Sequence, residues 1–275
     1  MIRGEPARIM RSGTSESVAE VAPWSAMASP RDRYLTVYGR KPVLEALEGG
    51  LPVARVHLAD NAGGDVVERI VAAASKRGVQ LRRAPERRIN EISRNGRQDQ
   101  GVVADVGAPR MQSLMAFLEQ RTGRHHATSV LVLDGIHNPS NLGMILRTAT
   151  AAGIDGIVVP DAGTAEIGPL VIKASAGVAF QAPILRIDRA EYALAQLRDA
   201  RFDIVAVDAG GPSLFEAELD ERVALVLGNE TEGISEASRE YCERTASLPL
   251  TNEVESLNVA AAAAVACYEL VRRRG

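Results

Sequence analysis

The second half of the chain alternates short apolar runs with helix-forming segments, and this alternation constrains the fold more than any other feature. The apolar runs are rich in Val, Ile and Leu, as buried strands are, and cover 129–134, 156–160, 202–208, 223–228 and 245–248. Helices are predicted at 142–152, 169–174, 190–199, 235–243 and 257–273. Strands and helices in this order predict an α/β fold with a parallel sheet covered by helices on both faces.

A second, smaller α/β unit is predicted before it, over residues 34–107. Strands at 36–39, 53–58, 79–82 and 101–106 alternate there with helices at 42–47, 66–77 and 87–93. Residues 1–33 show no sustained hydrophobic period, which predicts a flexible extension. Residues 108–127 are predicted to be a linker with a helical stretch at 114–120, followed by a domain at 128–275.

Composition excludes several classes of protein. The longest apolar helical stretch, Val259 to Tyr268, has ten residues, too few to span a membrane. The first residues lack the apolar core of a secretory signal. The two cysteines, Cys242 and Cys267, form neither a disulfide framework nor a metal-ligand spacing. We therefore expect a cytoplasmic protein without a membrane segment and without a metal.

The net charge of −3 hides an uneven distribution of charge. Residues 34–107 contain 12 Lys and Arg against 9 Asp and Glu, whereas residues 128–275 contain 12 against 21. Such a local basic surface can bind a polyanion even on an acidic protein, although it can also be an ordinary solvated face. The densest basic stretch holds Lys76, Arg77, Arg82, Arg83, Arg87, Arg88, Arg94 and Arg97.

Polar residues follow the apolar runs at three places, at the junctions where ligands bind in open α/β sheets. The first block is 138–149, after the strand that ends at Asp134. Asn141 is placed to cap the helix that follows, and Arg147 interrupts its apolar residues. A cation on a packed helix needs a partner, a function or a path to solvent.

The second block is Leu225 to Ile234, in which Gly228 and Gly233 flank Asn229 to Glu232. Glycines at this point let a ligand approach the backbone closely, and Ser235 is a plausible helix cap. A tight turn without a ligand would have a similar sequence. Neither a dinucleotide-binding glycine motif nor a P-loop lysine is present.

The third block runs from Leu248 to Ala260 and leads into a helix of mostly alanine. Side chains this small allow a neighbouring helix or a second subunit to approach closely, although alanine is also favoured by helix propensity alone. Asn258, at the start of this helix, would need hydrogen-bond partners if it is buried.

Together the three blocks resemble, in order and spacing, the motifs of the SpoU (TrmH-like) branch of the SPOUT RNA methyltransferases. The resemblance covers residues 128–275. It extends to 35–107, where Val37 to Leu47 and Gln100 to Ala104 are similar to the ribosomal-protein-like substrate domain of ribosomal RNA ribose methyltransferases. It implies a C-terminal deep trefoil knot, a homodimer with the alanine-rich helix at its interface, and transfer of a methyl from S-adenosylmethionine to an RNA ribose 2′-hydroxyl, without a metal.

The resemblance also implies roles for individual residues. Arg147 matches an arginine that activates the ribose; we favour positioning of phosphate and hydroxyl over the role of a base, because arginine stays protonated. The other predicted catalytic residues are Asn141, Glu230, Ser256 and Asn258. The predicted cofactor contacts are Ala209, Leu227, Gly228, Leu248, Leu250 and Leu257. Arg40, inside the matching segment of the substrate domain, joins the predicted RNA-binding side chains.

Alternatives remain at this point. The RNA is expected to be 23S ribosomal RNA; a transfer RNA is the alternative, which the N-terminal domain disfavours. A non-catalytic ribosome assembly or RNA-binding protein would keep the fold, although the intact motif residues disfavour it. Within ribosomal RNA methylation, both a housekeeping role and resistance to a ribosome-targeting antibiotic are compatible with the sequence.

Overall fold

A computed structural model describes residues 33–121, 126–252, 254 and 256–274. The extension predicted for 1–33 lies outside this part of the chain except for Arg33, as does His125. Among the described residues, none of the helices is both long and apolar enough to cross a membrane.

The N-terminal unit is a four-stranded mixed sheet with three helices. Its strand order is β1-β4-β2-β3, in which β2 and β3 are parallel and the other pairs are antiparallel. The elements are β1 (Tyr34–Tyr38), α1 (Arg40–Glu48), β2 (Val53–Ala59), α2 (Asp65–Lys76), β3 (Gln80–Ala84), α3 (Glu86–Ser93) and β4 (Val102–Gly107). Each helix and strand predicted from sequence in this region is present, with ends shifted by a few residues.

The C-terminal unit is built on a seven-stranded sheet in which every pair of neighbours is parallel. The strand order is β11-β9-β10-β6-β7-β8-β5. The strands are β5 (Gln112–Ser113), β6 (Thr128–Leu133), β7 (Gly156–Pro160), β8 (Ile184–Ile187), β9 (Asp203–Val207), β10 (Arg222–Leu227) and β11 (Arg244–Ala246). The helices are α4 (Leu114–Glu119), α5 (Pro139–Ala151), α6 (Pro169–Ala174), α7 (Ala190–Asp199), α8 (Glu236–Arg239) and α9 (Val259–Arg274).

Both faces of this sheet are buried, as the unbroken apolar strands predict. Along β6, Val130 and Val132 pack on the side of α4 and α7, in one apolar cluster. Leu131 and Leu133 point to the opposite side, where α5 and α9 form the other cluster. The alternation follows from the two-residue period of a strand. The predicted parallel sheet with helices on both faces is therefore confirmed.

One glycine sets how closely two helices of this second layer approach. A Cβ atom on Gly143 of α5 would lie 2.5 Å from Cβ of Ala174 and 2.6 Å from the carbonyl oxygen of Val171, both on α6. Any side chain here would push the helices apart, because real Cβ contacts are not that short. Gly143 therefore lets α6 support the first turns of α5.

Several predicted boundaries are wrong for identifiable reasons. Strand β8 was not predicted, because Ile184–Ile187 is short and contains Arg186. The helix expected over 235–243 ends at Arg239. Helix α9 begins at Val259 rather than at Leu257. Within the predicted linker, β5 extends the large sheet beside β8, and Leu114 and Phe117 of α4 are buried in its core.

Candidate functional site

The three sequence blocks meet in one hydrogen-bonded cluster of Asn141, Glu230 and Asn258. The side-chain amide of Asn141 donates a short hydrogen bond to Oε1 of Glu230. Nδ2 of Asn258 donates to the same Oε1 at 3.3 Å and to Oδ1 of Asn141 at 3.1 Å. Two amides from distant segments thus share one carboxylate oxygen, which fixes the orientation of all three side chains.

The structure places Asn141 inside helix α5 and not at its cap. Asn138 caps the helix, since its Oδ1 accepts a hydrogen bond from the backbone N–H of Ser140 at 2.8 Å, and Pro139 takes the first helical position. Proline suits that position because its missing N–H would have no helical partner there. The predicted capping role of Asn141 is wrong. Its side chain, in the first turn, is buried and free to reach Glu230.

Glu230 lies on a short loop that is closed on itself. The backbones of Asn229 and Gly233 exchange two hydrogen bonds of 2.9 Å, and the Asn229 side chain donates to the carbonyl of Gly135 at 2.8 Å. Gly228, before the loop, has no room for a side chain, because a Cβ there would lie 2.2 Å from the carbonyl carbon of Gly233. The loop is therefore anchored to the end of β6, where the first block begins.

Asn258 caps helix α9, with its Oδ1 accepting from the backbone N–H of Ala260 at 3.0 Å and of Ala261 at 3.4 Å. Capping by asparagine satisfies N–H groups that have no partner within the helix. Asn258 is exposed and not buried, so its amide faces the other two side chains from the surface. The cap thereby fixes the side chain that reaches Glu230.

A cavity of about 630 Å³ opens beside this cluster, at the carboxyl ends of β9, β10 and β11. It has the size typical of small-ligand sites, and parallel sheets bind ligands at this edge. Glu230 and Ser256 belong to its wall. All six predicted cofactor residues line it: Ala209, Leu227, Gly228, Leu248, Leu250 and Leu257.

The structure adds residues that the sequence analysis did not identify. Asp208 and Arg239 line the cavity and form a short ion pair with each other. Asp208 directly follows β9, so its position at the end of an apolar strand was a usable signal. Arg239 lies in a polar helix with no distinguishing pattern, and no sequence signal would have selected it.

Arg147 lies outside this cluster. It is six residues beyond Asn141 on α5, which is about 600° of helical rotation, equivalent to about 240°. Its side chain is exposed on the same helix face as Met144. No hydrogen bond or ion pair engages its guanidinium within the part of the chain that the structure describes. Of the predicted catalytic residues, three form the cluster, Ser256 shares the cavity wall with Glu230, and Arg147 lies apart.

Two family models match the chain. One, the SpoU rRNA Methylase family, matches residues 128–268, and the other, RNA 2′-O ribose methyltransferase substrate binding, matches residues 36–112. The chain belongs to the SpoU family. The resemblance seen in the sequence blocks is thereby confirmed, and the SpoU match includes Asn141, Glu230 and Asn258.

Relatives of this SpoU protein cover most of its length. An uncharacterized protein of Synechocystis, named as a tRNA/rRNA methyltransferase, is 32% identical over 87% of this chain, which spans 62% of that relative. A TrmH-family tRNA/rRNA methyltransferase of Staphylococcus saprophyticus is 29% identical over 87% of this chain and 96% of its own length.

Solved structures of similar proteins agree with the fold. The SpoU methyltransferase AviRb of Streptomyces viridochromogenes, in complex with AdoMet, has 26% identity, a TM-score of 0.59, and coverage of 89% of this chain and 92% of AviRb. An AdoMet-bound rRNA methyltransferase of Sinorhizobium meliloti has 26% identity and a TM-score of 0.59, over 89% and 88% of the two chains.

The basic side chains of the substrate-binding unit fall into different groups. Arg77 is used within the unit, because it donates to the carbonyls of Leu47 and Leu51 at 2.6 Å each. Arg83 donates to the carbonyls of Ala59 and Asp60 at 3.3 Å. By contrast, Lys76, Arg82 and Arg97 are exposed and have no hydrogen bond or ion pair among the described residues.

Other basic side chains of this unit are paired or face the larger unit. Arg87 and Arg88 form ion pairs with Glu91 on α3, at 3.3 and 2.9 Å. Arg40 donates to the backbone carbonyl of Gln100 at 3.3 Å. Arg88 and Arg94 line a second cavity of about 490 Å³, between the substrate-binding unit and the ends of β7 and β8.

Burial makes the two cysteines of this SpoU protein weak nucleophiles. Burial raises the pKa of the Cys242 thiol to about 11, although the charge of Arg239 beside it acts in the opposite direction. Burial also raises the pKa of Cys267 to about 12. Thiolates are scarce at neutral pH in both cases. Among the described residues, His, Cys, Asp and Glu side chains form no group of three or more that could hold a metal ion.

The cluster of Asn141, Glu230 and Asn258 predicts how the stability of the protein changes when a second carboxylate is placed beside Glu230. Asn141→Asp replaces a donor amide with an acid beside Glu230, and two adjacent carboxylates resist ionising together. We expect this variant to be less stable by about 1–3 kcal/mol at neutral pH. The raised pKa of the pair means that the loss is smallest at acid pH and grows as the pH rises through that pKa. Thermal melts from pH 5 to 8 measure this dependence.

Asn61→Asp is the matched control, because Asn61 donates to Glu86 at 3.1 Å in an exposed amide–carboxylate pair. Its melting temperature should change little across the same pH range, since water screens the two charges. If the melting temperatures of both variants depend on pH in the same way, the Asn141–Glu230 contact contributes no more to stability than an ordinary surface contact.

Proposed function

We propose that this protein transfers a methyl group from S-adenosylmethionine to a ribose 2′-hydroxyl of 23S ribosomal RNA. The observation that carries the proposal is that the side-chain amides of Asn141 and Asn258 both donate to one carboxylate oxygen of Glu230. Glu230 also lies in the wall of a ligand-sized cavity. The match of residues 36–112 to a ribose methyltransferase substrate-binding domain supports ribose as the acceptor. Ribosomal RNA is supported by the Sinorhizobium meliloti neighbour, described as an rRNA methyltransferase.

The residues that line the cavity fit S-adenosylmethionine. Leu227, Leu248 and Leu250 provide an apolar wall suited to a flat base, and Gly228 and Gly210 leave backbone accessible. Charged side chains line another part of the wall: Asp208, Glu230, Glu232 and Arg239. When bound, the cofactor supplies an electrophilic methyl on a sulfonium. AdoMet is the ligand in both solved neighbours named above.

Glu230 is the group that we propose orients the ribose hydroxyl. Its Oε1 is occupied by two amide donors, which leaves Oε2 available to accept a hydrogen bond from the substrate. A fixed acceptor lowers the entropic cost of placing a weak nucleophile in line with the methyl group. Ser256, in the same wall, can supply a further hydroxyl contact.

Arg147 is proposed to bind the phosphate next to the reacting ribose. Its guanidinium is exposed, can form a bidentate contact with phosphate, and has no competing partner among the described residues. The role of a base is less favourable, because arginine remains charged in proteins.

Arg147 lies on a different face of α5 from Asn141. We therefore propose that the protein acts as a homodimer, in which Arg147 of one subunit binds RNA beside the cavity of the other subunit. Exposed apolar side chains support such an interface. Helix α9 presents Val265, Tyr268 and Val271 to solvent, at helical spacing, and α5 presents Met144 near Arg147.

The trefoil knot implied by the resemblance is also proposed. Chain segments pack closely against one another around the cavity. Ser247 and the segment at 212–214 exchange backbone hydrogen bonds of 2.8 Å, and Gly228 lies against the backbone of Gly233 and Ile234. The cytoplasmic location and the choice between housekeeping and antibiotic resistance stay predictions from sequence.

The test is methylation of RNA in vitro, read by mass spectrometry of nucleosides and by primer extension. With S-adenosylmethionine, the intact protein should form a 2′-O-methylnucleoside at one site of unmodified 23S ribosomal RNA. Arg147→Ala should reduce the rate by at least about a hundredfold, because a substrate-positioning contact is lost. Arg147→Lys should restore little of it, since a point charge does not reproduce the planar bidentate contact.

Melting temperature and cofactor affinity of the same variants serve as controls and should stay near those of the unchanged protein. Near-normal turnover in a folded Arg147→Ala variant would remove Arg147 from the catalytic residues. Methylation of transfer RNA alone would replace the proposed substrate, and methylation of a base would contradict ribose as the acceptor.

The unpaired basic side chains give a separate prediction about RNA affinity. Arg82→Ser combined with Arg97→Ser should weaken binding of ribosomal RNA and lower the slope of log affinity against log salt by about 1–2, as expected when up to two phosphate contacts are lost. Binding is measured by filter retention from 50 to 300 mM salt. Arg189→Ser combined with Arg201→Ser, in the larger unit, is the control of equal charge, and an equal loss there would contradict a specific basic surface.

A further inference from the structure

We infer that the Asp208–Arg239 pair binds the amino-acid end of the methyl donor. This inference rests on the proposed function, because it assigns part of the cavity to part of S-adenosylmethionine. Neither residue belongs to the three blocks that carry the family resemblance to the cofactor site. Both line the cavity, and their side chains form a short ion pair.

The geometry keeps the pair at the cavity and partly in solvent. Asp208 follows β9 directly, and its Oδ1 accepts a hydrogen bond from the backbone N–H of Ala209 at 2.8 Å. Its Oδ2 accepts from Nη2 of Arg239, at the end of α8. The side chain of Asp208 is 31% exposed and that of Arg239 is 46% exposed. Asp208 can therefore still accept a hydrogen bond from a ligand, and Arg239 can still donate one.

Charge decides which part of the cofactor meets this pair. Among the described residues that line the cavity, Arg239 is the one cation, facing Asp208, Glu230 and Glu232. S-adenosylmethionine carries a single anionic group, its α-carboxylate. Away from Arg239, the lining offers that carboxylate either uncharged side chains or the acidic Glu230 and Glu232, which would repel it. Beside Arg239 it gains charge-assisted hydrogen bonds.

Asp208 complements the second charge of the same group. The α-ammonium lies next to the α-carboxylate, so a ligand held by Arg239 brings a cation close to the carboxylate of Asp208. In such a complex the arginine faces the α-carboxylate of the ligand, and the aspartate faces its α-ammonium group. Leu227, Leu248 and Leu250 form the apolar part of the wall and suit the adenine.

A truncated ligand separates this role from a structural one. S-adenosylhomocysteine carries the amino-acid end, whereas 5′-methylthioadenosine is the same nucleoside thioether without it. We expect Arg239→Gln to raise the Kd of S-adenosylhomocysteine about tenfold, as for loss of one charge-assisted contact. The Kd of 5′-methylthioadenosine should stay within about twofold in calorimetry. Asp208→Asn should show the same selectivity with a smaller effect.

Arg189→Gln is the matched control, because Arg189 pairs with Glu191 at 3.5 Å outside the cavity, and it should leave both affinities unchanged. If Arg239→Gln weakens both ligands equally, the pair only maintains the shape of the cavity, and the inference is wrong. It is also wrong if neither ligand is affected. If the unchanged protein binds neither ligand, the proposed function fails, and the inference fails with it.

Discussion

The carboxylate of Glu230 ties together three stretches of chain that are far apart in sequence. The Asn141–Glu230 contact joins residues 89 positions apart, and Asn141–Asn258 joins residues 117 apart. Each partner is itself fixed: Asn141 within the first turn of α5, Asn258 by capping α9, and Glu230 by a loop anchored to Gly135. Without this carboxylate, the Asn141 amide would lose its acceptor, and only the direct hydrogen bond from Asn258 to Asn141 would remain within the cluster.

The sheet explains why these segments can meet. Neighbouring strands β9, β10 and β6 are parallel, so the residues that follow each of them emerge at the same edge. Asp208 follows β9, Gly228 follows β10 and Asp134 follows β6, and the cavity and the cluster lie where these ends come together. Burial of both sheet faces holds the strands in register, which keeps the site rigid.

Much of this arrangement could be predicted from the sequence. Short, unbroken apolar runs that alternate with helical segments predict the parallel sheet, because a strand buried on both faces has no polar face to alternate with the apolar one. The six residues predicted to contact the cofactor line one cavity, since the motif order fixes which strand ends they follow. Strand β8 is not predicted, because a segment of four residues that includes an arginine shows no clear hydrophobic pattern. Arg239 was missed because its importance comes from a pairing across the fold, and no local pattern encodes that. Helix α5 begins at Pro139, three residues before the predicted start at 142, so that Asn138 and not Asn141 caps it.

The central claim is that Asn141 and Asn258 act as one unit with Glu230, and a double-mutant cycle on methyl transfer tests it most directly. Asn141→Ala removes one amide, and Asn258→Ser removes the other while keeping a side chain that can cap α9. If the two amides and the carboxylate act as one hydrogen-bonded unit, each single variant should lose most of the rate, and the double variant should lose little more than either. Rate losses that multiply, so that the double variant falls by the product of the single effects, would show independent residues and contradict the account.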